Sequence, residues 1–327
     1  MIKYDEKLSK GESVAGIQIQ YNYKCNMRCV HCAITPFQHT YKRRILTIDD
    51  IKNLAEQADQ LGLANFGISG GEPTLFKDFD QLIEAINPQK FWIQVDTNGW
   101  LLDDKLAQHW KDIGIDKVDL SIDSLNPSEH DAFRQKPGAW NRAMQTIESC
   151  NKVGLSVLIS TVVTHERIHS SEFVDFLKFF DDKVSAITVC WGKPVGSWEG
   201  QADKLCTQED ADYLYILSKT YNAFEHSILR AYGKHLGCLA VKRMASLTQF
   251  GDVMPCPWLY FKLGNIFDTP LKDILEKGMR YFGHFEPTCL CGYNKKFIEK
   301  YLTQTYNKNI PVPIEDIISD PKDLQNL

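Results

Sequence analysis

The chain has 327 residues, 43% hydrophobic and 24% charged, the proportions of a globular protein with room for one large domain or a large and a small one. Its net charge of −5 gives no electrostatic footprint for DNA or RNA. No apolar run approaches the roughly 20 residues that span a bilayer, and the start MIKYDEKLSKGESVAG lacks the apolar core of a signal peptide. A cytoplasmic protein with reduced cysteines is therefore expected, with neither nucleic acid nor membrane as partner.

A strand-like run, AGIQIQY, leads straight into YNYKCNMRCVHC, where Cys25, Cys29 and Cys32 are spaced C-x3-C-x2-C. TIDDIKNLAEQADQLG reads as an amphipathic helix, with Thr47 as N-cap, Asp50 three residues on and Gly62 as its stop. NFGIS is a short strand ending in GGEP, FDQLIEAI a helix, and FWIQVD a buried strand ending in TNG. DDKLAQHWKDIG is helical, KVDLSID a strand, AWNRAMQTIESCNKVG a helix, LSVLISTVV a strand, SSEFVDFLKFF a helix and VSAITVC a strand. This alternation predicts βα units around a parallel sheet, with six strands. Six are too few for a closed eight-stranded barrel, so an open, partial (β/α)6 TIM-like barrel is expected over residues 1–200.

The rhythm then changes. TQEDADYLYILSKTYNAFEHS reads as one long helix in a connector over 201–232, and 233–305 as a small unit stapled by metal. Within it Cys238 and Cys256 flank FGDV, a hairpin turn, and PLKDILEKGMRYF is a helix preceding CLC, Cys289 to Cys291. Residues 306–327 read as a polar, proline-bearing tail with partial disorder. There are no internal repeats and no low-complexity tract.

Ligands in parallel α/β folds sit at the carboxyl ends of the strands. Those ends carry Cys25, Cys29 and Cys32; Gly70, Gly71, Glu72 and Pro73; Thr97, Asn98 and Gly99; Ser121 and Asp123; and Cys190. Three thiolates can hold three corners of a [4Fe–4S] cluster and leave the fourth iron open. A zinc site completed by a distant histidine is the rival reading.

C-x3-C-x2-C after the first strand with GGEP after the second resembles the radical S-adenosylmethionine (radical SAM) superfamily, over about Ala15 to Cys190. The resemblance implies that Cys25, Cys29 and Cys32 hold the cluster and that SAM chelates the open iron. It implies that backbone atoms of Gly70, Gly71 and Glu72 meet the SAM amino group and that Ser121 and Asp123 touch its ribose or methionine portion. Arg134, or in second place Arg142, would pair with its carboxylate, with Thr97 and Asn98 near the cofactor. His31 would take the place of an aromatic ring against the adenine. The implied chemistry is reductive cleavage of SAM to a 5′-deoxyadenosyl radical that abstracts a substrate hydrogen atom.

Cys238, Cys256, Cys289 and Cys291, with twelve residues between the first and Gly251 and four between Gly251 and the second, resemble the auxiliary-cluster domains called SPASM and twitch. Four cysteines fit the shortened twitch form with one auxiliary [4Fe–4S] cluster; zinc on the same sulfurs is the alternative. Cys150, within a helix, reads as a core thiol, and Cys206 sits at a helix start. Cys190, at a strand end, is either a core thiol or a hydrogen-atom donor, and GKPVGSWEG after it is a substrate-side loop with Lys193 and Trp198 as contacts.

Three functions remain open at this point. The first is oxidation (dehydrogenation) or epimerisation of a small biosynthetic intermediate, with a flavodoxin- or ferredoxin-type electron donor. The second is modification of a ribosomally made peptide; such relatives often carry an extra N-terminal recognition domain, and here only Met1 to Val14 precede the first strand, which favours the small substrate. The third is a non-catalytic Fe–S electron-transfer or scaffold protein, disfavoured because a pure electron carrier needs no GGEP segment.

Overall fold

The computed structural model describes residues 2–38, 43–225, 237–284 and 286–324. Six parallel strands run in sequence order: β1 (Gly16–Asn22), β2 (Asn65–Gly70), β3 (Trp92–Thr97), β4 (Lys117–Ser121), β5 (Ser156–Val163) and β6 (Ala186–Trp191). After a short helix α1 (Ile2–Ser9), the helices between strands are α2 (Ile48–Gln60), α3 (Phe79–Ile86), α4 (Asp104–Asp112), α5 (Pro127–Arg134), α6 (Ala139–Val153), α7 (His165–Ile168) and α8 (Ser171–Phe180). The sheet does not close. Its order, continuing beyond both edges of the six, makes a partial barrel, as the strand number predicts.

The strands divide their residues between two faces with period two. Ile17, Ile19, Phe66, Ile68, Ile93, Val95, Val118 and Leu120 are buried in one core with helix residues such as Leu54, Leu82, Trp110 and Phe176. Burying each such side chain stabilises the fold by about 1.5–3 kcal/mol. Gln18, Gln20, Ser69, Asp96, Asp119, Ser121 and Ser160 lie on the opposite face and line a cavity. Local signals agree with the packing: Thr47 and Asp50 form a reciprocal capping box at α2, and Gly62 just beyond its end has φ +65°.

Three features depart from the sequence reading. The long helix expected over 207–227 stops early: α9 (Gln208–Leu217) gives way to turns and a seventh strand, β7 (Ala223–Glu225), parallel to β6. Asn222 drives the break, its N–H donating to Asp181 Oδ1 at 2.8 Å and its side chain to Ser185 O. The remainder of that helix and of the 201–232 connector, from 226 on, lies outside the described residues.

The second departure is at the other edge. The hairpin β8 (Met244–Leu247) and β9 (Asp252–Met254), turning at Gly251 (φ +79°), does not stand apart: β8 pairs in parallel with β1, so the C-terminal unit continues the barrel sheet. Buried Gln20 donates to Ser246 Oγ at 3.1 Å across that seam. The hairpin continues into β10 (Phe261–Lys262), β11 (Gly264–Asn265), which pairs with β9, and α10 (Leu271–Phe282); a last helix, α11 (Lys295–Lys300), follows the CLC segment.

Third, the segment read as a polar tail is packed. Ile310, Val312, Ile314, Ile318 and Leu324 are buried, and β12 (Val312–Pro313) pairs with β10. Apolar residues recurring every two to four positions outweigh its prolines and acids. Among the described residues, no helix is long and apolar enough to cross a membrane.

Candidate functional site: two cysteine groups and the cavity between them

The three N-terminal cysteines sit on the loop that leaves β1, at the mouth of a cavity of about 250 Å³. GGEP, leaving β2, is pressed against that loop. The Gly71 N–H donates to Asn22 O at 2.6 Å and the Glu72 N–H to Lys24 O at 2.8 Å. A Cβ on Gly71 would lie 1.9 Å from Lys24 O, and one on Gly70 (φ +112°) 2.5 Å from Asn22 O. The glycine pair is thus required by close backbone approach.

The Glu72 side chain is buried and engaged in the loop itself. Its Oε1 accepts from Thr97 Oγ1 at 2.6 Å and from Thr74, and its Oε2 from the Asn98 N–H at 2.9 Å. Its backbone is what remains for a ligand, together with Gly70 and Gly71. Pro73 opens the turn Pro73–Leu75 and is not among the cavity-lining residues. Asn98 donates to Asn26 Oδ1 at 2.8 Å, tying the end of β3 to the cysteine loop.

Arg134, at the end of α5, reaches the cavity: its Nη1 lies 3.8 Å from Cys29 Sγ. Arg142 lies away from the site, over the Trp100 ring. Ser121 lines the cavity, whereas Asp123 does not; its Oδ2 pairs with Arg134 Nη2 at 2.6 Å and its Oδ1 accepts from the Val162 N–H at 2.9 Å. Burial is the largest influence on Asp123 and works against its charge, but the Arg134 guanidinium, His31, His130 and the Val162 N–H together outweigh it and hold the carboxyl below its ordinary range. Asp123 therefore orients Arg134 instead of presenting itself to a ligand. His31 stacks on Phe133 with ring centroids 4.5 Å apart, and burial followed by Arg134 pushes it down to about 3, so the imidazole is neutral.

The cysteine loop is held from its far side as well. Cys32 O accepts from the Ser197 N–H at 3.0 Å, and Tyr260 donates its hydroxyl to Ala33 O. The segment 192–198 so gripped carries Lys193 and Trp198 into the cavity, beside Cys190 and Trp258. Lys193 is buried, donates to Trp191 O at 3.0 Å and lies 4.0 Å from the Trp258 ring centroid. Cys289 and Cys291 lie close enough that their thiolates would favour its charge.

Those two belong to the second group. Cys238, Cys256, Cys289 and Cys291 are all buried, with Cys289 Sγ and Cys291 Sγ 4.0 Å apart, Cys256 against Cys291, and Cys238 facing Cys289. Four buried thiols gathered in this way are a donor set that an iron–sulfur cluster takes. Burial, with smaller contributions from Glu72, Cys29 and Cys32, pushes the Cys25 thiol up to about 11, so deprotonation accompanies metal binding.

The sequence reading missed the cavity floor. Gln18, Asp96, Asp119 and Ser160 come from β1, β3, β4 and β5. Gln94 Nε2 donates to Asp96 Oδ1 at 2.6 Å and to Asp119 Oδ2 at 3.1 Å, and Gln18 Nε2 donates to Asp96 Oδ2 at 2.8 Å. Asp119 Oδ1 and Gln18 Oε1 are buried acceptors without a hydrogen-bond partner. Burial raises the proton affinity of both carboxyls, and that of Asp119 is raised further by Asp96. Cys190, on the adjoining wall, is pushed up to about 12 by burial and is a thiol, not a thiolate. Cys150 and Cys206 are buried core thiols.

Comparison with known proteins agrees with this geometry. Residues 19–180 match the model of the Radical SAM superfamily, and residues 238–293 that of SPASM, an iron–sulfur cluster-binding domain. The AdoMet-dependent heme synthase of Nitratidesulfovibrio vulgaris is 27% identical over 304 residues, covering 82% of this chain and 81% of that protein. The GTP 3′,8-cyclase of Nautilia profundicola is 32% identical over 170 residues, about half of each chain (51% and 52%). In fold, the chain resembles Streptococcus suis SuiB bound to precursor peptide SuiA, with a TM-score of 0.64 at 20% identity, covering 84% of this chain and 68% of that one. It also resembles anSMEcpe with bound AdoMet, with a TM-score of 0.58 at 18% identity, covering 81% of each. The chain belongs to the radical SAM superfamily, with a [4Fe–4S] cluster and S-adenosylmethionine as cofactors and a C-terminal SPASM-class domain for an auxiliary [4Fe–4S] cluster.

Proposed function

We propose that this enzyme abstracts a hydrogen atom from a small, neutral or cationic substrate bearing hydroxyl or amino groups, and so oxidises or epimerises it. The observation that carries the proposal is the cavity floor. Gln18 Oε1 is a buried acceptor and Asp119 Oδ1 a buried carboxyl oxygen, both without a partner, and a substrate hydroxyl or amino group, which can donate and accept, satisfies both. GTP carries a triphosphate; a floor with two acidic side chains is unsuited to that polyanion, so the substrate in the cyclase's name is not carried over.

When bound, the cluster at Cys25, Cys29 and Cys32 supplies the electron that opens SAM. The chain's own residues do the rest. Gly70, Gly71, Ser121 and Arg134 position SAM, with His31 on the adenine side. Asp96 and Asp119 orient the substrate, and Trp198 and Trp258 narrow the mouth and exclude water. Cys190, protonated and facing the cavity, is the hydrogen-atom donor if the outcome is epimerisation. In oxidation the substrate radical would lose a proton and its electron would leave through the auxiliary domain. In epimerisation an electron through that domain and a proton would restore the Cys190 thiol. A flavodoxin- or ferredoxin-type protein would supply the first electron.

The test is anaerobic. Dithionite-reduced enzyme with SAM should release 5′-deoxyadenosine, and replacing Cys25, Cys29 and Cys32 together by Ala should abolish the release. Candidate polyols and amino sugars should accelerate it, and Asp119→Asn should remove the acceleration but not the basal release. Acceleration by a peptide alone would replace the substrate half of the proposal. Cys190→Ala separates the two outcomes, since it stops epimerisation and spares oxidation.

A further inference from the structure

Outside the cavity, His165, His169 and Asp210 bring one ligand atom each to within 4.8 Å of one another, and they are the one such group of three among the described residues. His165 opens α7 just after β5, His169 follows its last residue, and Asp210 lies in the first turn of α9. Asp210 Oδ1 is 3.0 Å from His165 Nδ1 and 2.7 Å from His169 Nε2. We infer that these three side chains form a binding site for one divalent transition-metal ion of the zinc class.

Three points support the assignment. Two imidazoles and one carboxylate are the borderline N/O donors such an ion takes, and their present hydrogen-bond separations need open by only about 0.3–0.9 Å to become edges of a tetrahedron with bonds of about 2.0–2.2 Å. The carboxylate is fixed by its own partners: Asp210 is fully buried, and its Oδ2 accepts from the Thr207 N–H at 2.7 Å. Such outer hydrogen bonds hold a ligand in place before the ion arrives. The histidine side chains are 57% and 44% exposed, which leaves an entry path and an open position for water. His169 also packs on the Tyr213 ring at 4.8 Å, which restricts its rotation.

The site lies where it can influence the cavity without touching it. Between β6 and α9 runs the segment that carries Lys193, Val195 and Trp198 into the cavity. Its end is anchored by Cys206, whose thiol donates to Val163 O at the end of β5. An ion on His165, His169 and Asp210 bonds the start of α9 to the end of β5 and fixes the far end of that segment. It is a latch and not a catalytic metal.

The measurement is metal content. Holoenzyme with its clusters intact is incubated anaerobically with zinc chloride, dialysed and analysed by mass spectrometry for zinc and iron, beside the double variant His165→Gln, His169→Gln. Both histidines are exposed, so the variant should keep wild-type iron. The wild type should retain about one zinc per chain more than the variant. Equal zinc in both proteins, including zinc held on cysteines in each, overturns the site, as does absence of zinc from the wild type.

Discussion

Gly71→Ala tests the geometry on which the site rests. The added methyl would lie 1.9 Å from Lys24 O and 2.5 Å from Lys24 C, both backbone atoms that cannot rotate away. Real contacts of this kind start near 3.0 Å, so the GGEP turn and the cysteine loop must part by at least about 1 Å. Two hydrogen bonds span that gap, Gly71 N–H to Asn22 O and Glu72 N–H to Lys24 O. At about 1 kcal/mol each, their loss removes about 2 kcal/mol of stability. The larger effect is on chemistry, because a misplacement of about 1 Å costs on the order of 100-fold in rate. The assay is single-turnover release of 5′-deoxyadenosine from reduced enzyme, with iron per chain and SAM affinity measured on the same sample. Gly67→Ala, in the strand that leads into this turn but with its nearest foreign atom at an ordinary 3.6 Å, should behave as wild type. A Gly71→Ala enzyme with full iron, unchanged SAM affinity and an unchanged rate would refute the reasoning.

Asp119→Asn should flatten the pH dependence of stability. The buried carboxyl holds a proton that the unfolded chain has already released, so stability falls as pH rises from the mildly acid to the neutral range, and urea unfolding at several pH values should lose that slope in the variant. Asp123→Ala leaves the buried Arg134 guanidinium without its partner and should cost about 3–5 kcal/mol in denaturant unfolding; a loss under 1 kcal/mol would contradict the pairing. Replacing Cys289 and Cys291 by Ala should lower iron from about eight to about four atoms per chain while leaving 5′-deoxyadenosine release measurable. Iron unchanged in that variant would remove the auxiliary cluster from those residues.

Much of the fold was legible because its strands alternate and its helices carry caps and stops. Both cysteine groups were legible because their spacing is local. What escaped notice depended on distant partners. Nothing within 207–227 interrupts a helical pattern, and the break at Asn222 is imposed by Asp181, 41 residues earlier. The tail was judged by its prolines and acids, although its isoleucines decide its place. The cavity floor was present as polar residues at every second position, Gln18 and Gln20, Gln94 and Asp96, Asp119 and Ser121, but strands were weighed by their apolar content. Asp123 was assigned to a ligand from its position at a strand end; only its distance to Arg134 shows which group it serves.

The seam between β1 and β8 has a consequence in time. Met244 pairs with Gly16 and Leu247 with Ile19, more than two hundred residues apart in the chain. At about 5–20 residues per second, the ribosome delivers β8 on the order of 10–50 s after β1. Throughout that interval the outer edge of β1 is a row of unpaired backbone groups, the feature through which nascent chains pair with one another. The loop that collects the first cluster is anchored at that same edge. Iron supply and chain completion are therefore in a race, and a chain truncated before residue 244 should aggregate through β1 even though its half-barrel is otherwise entire.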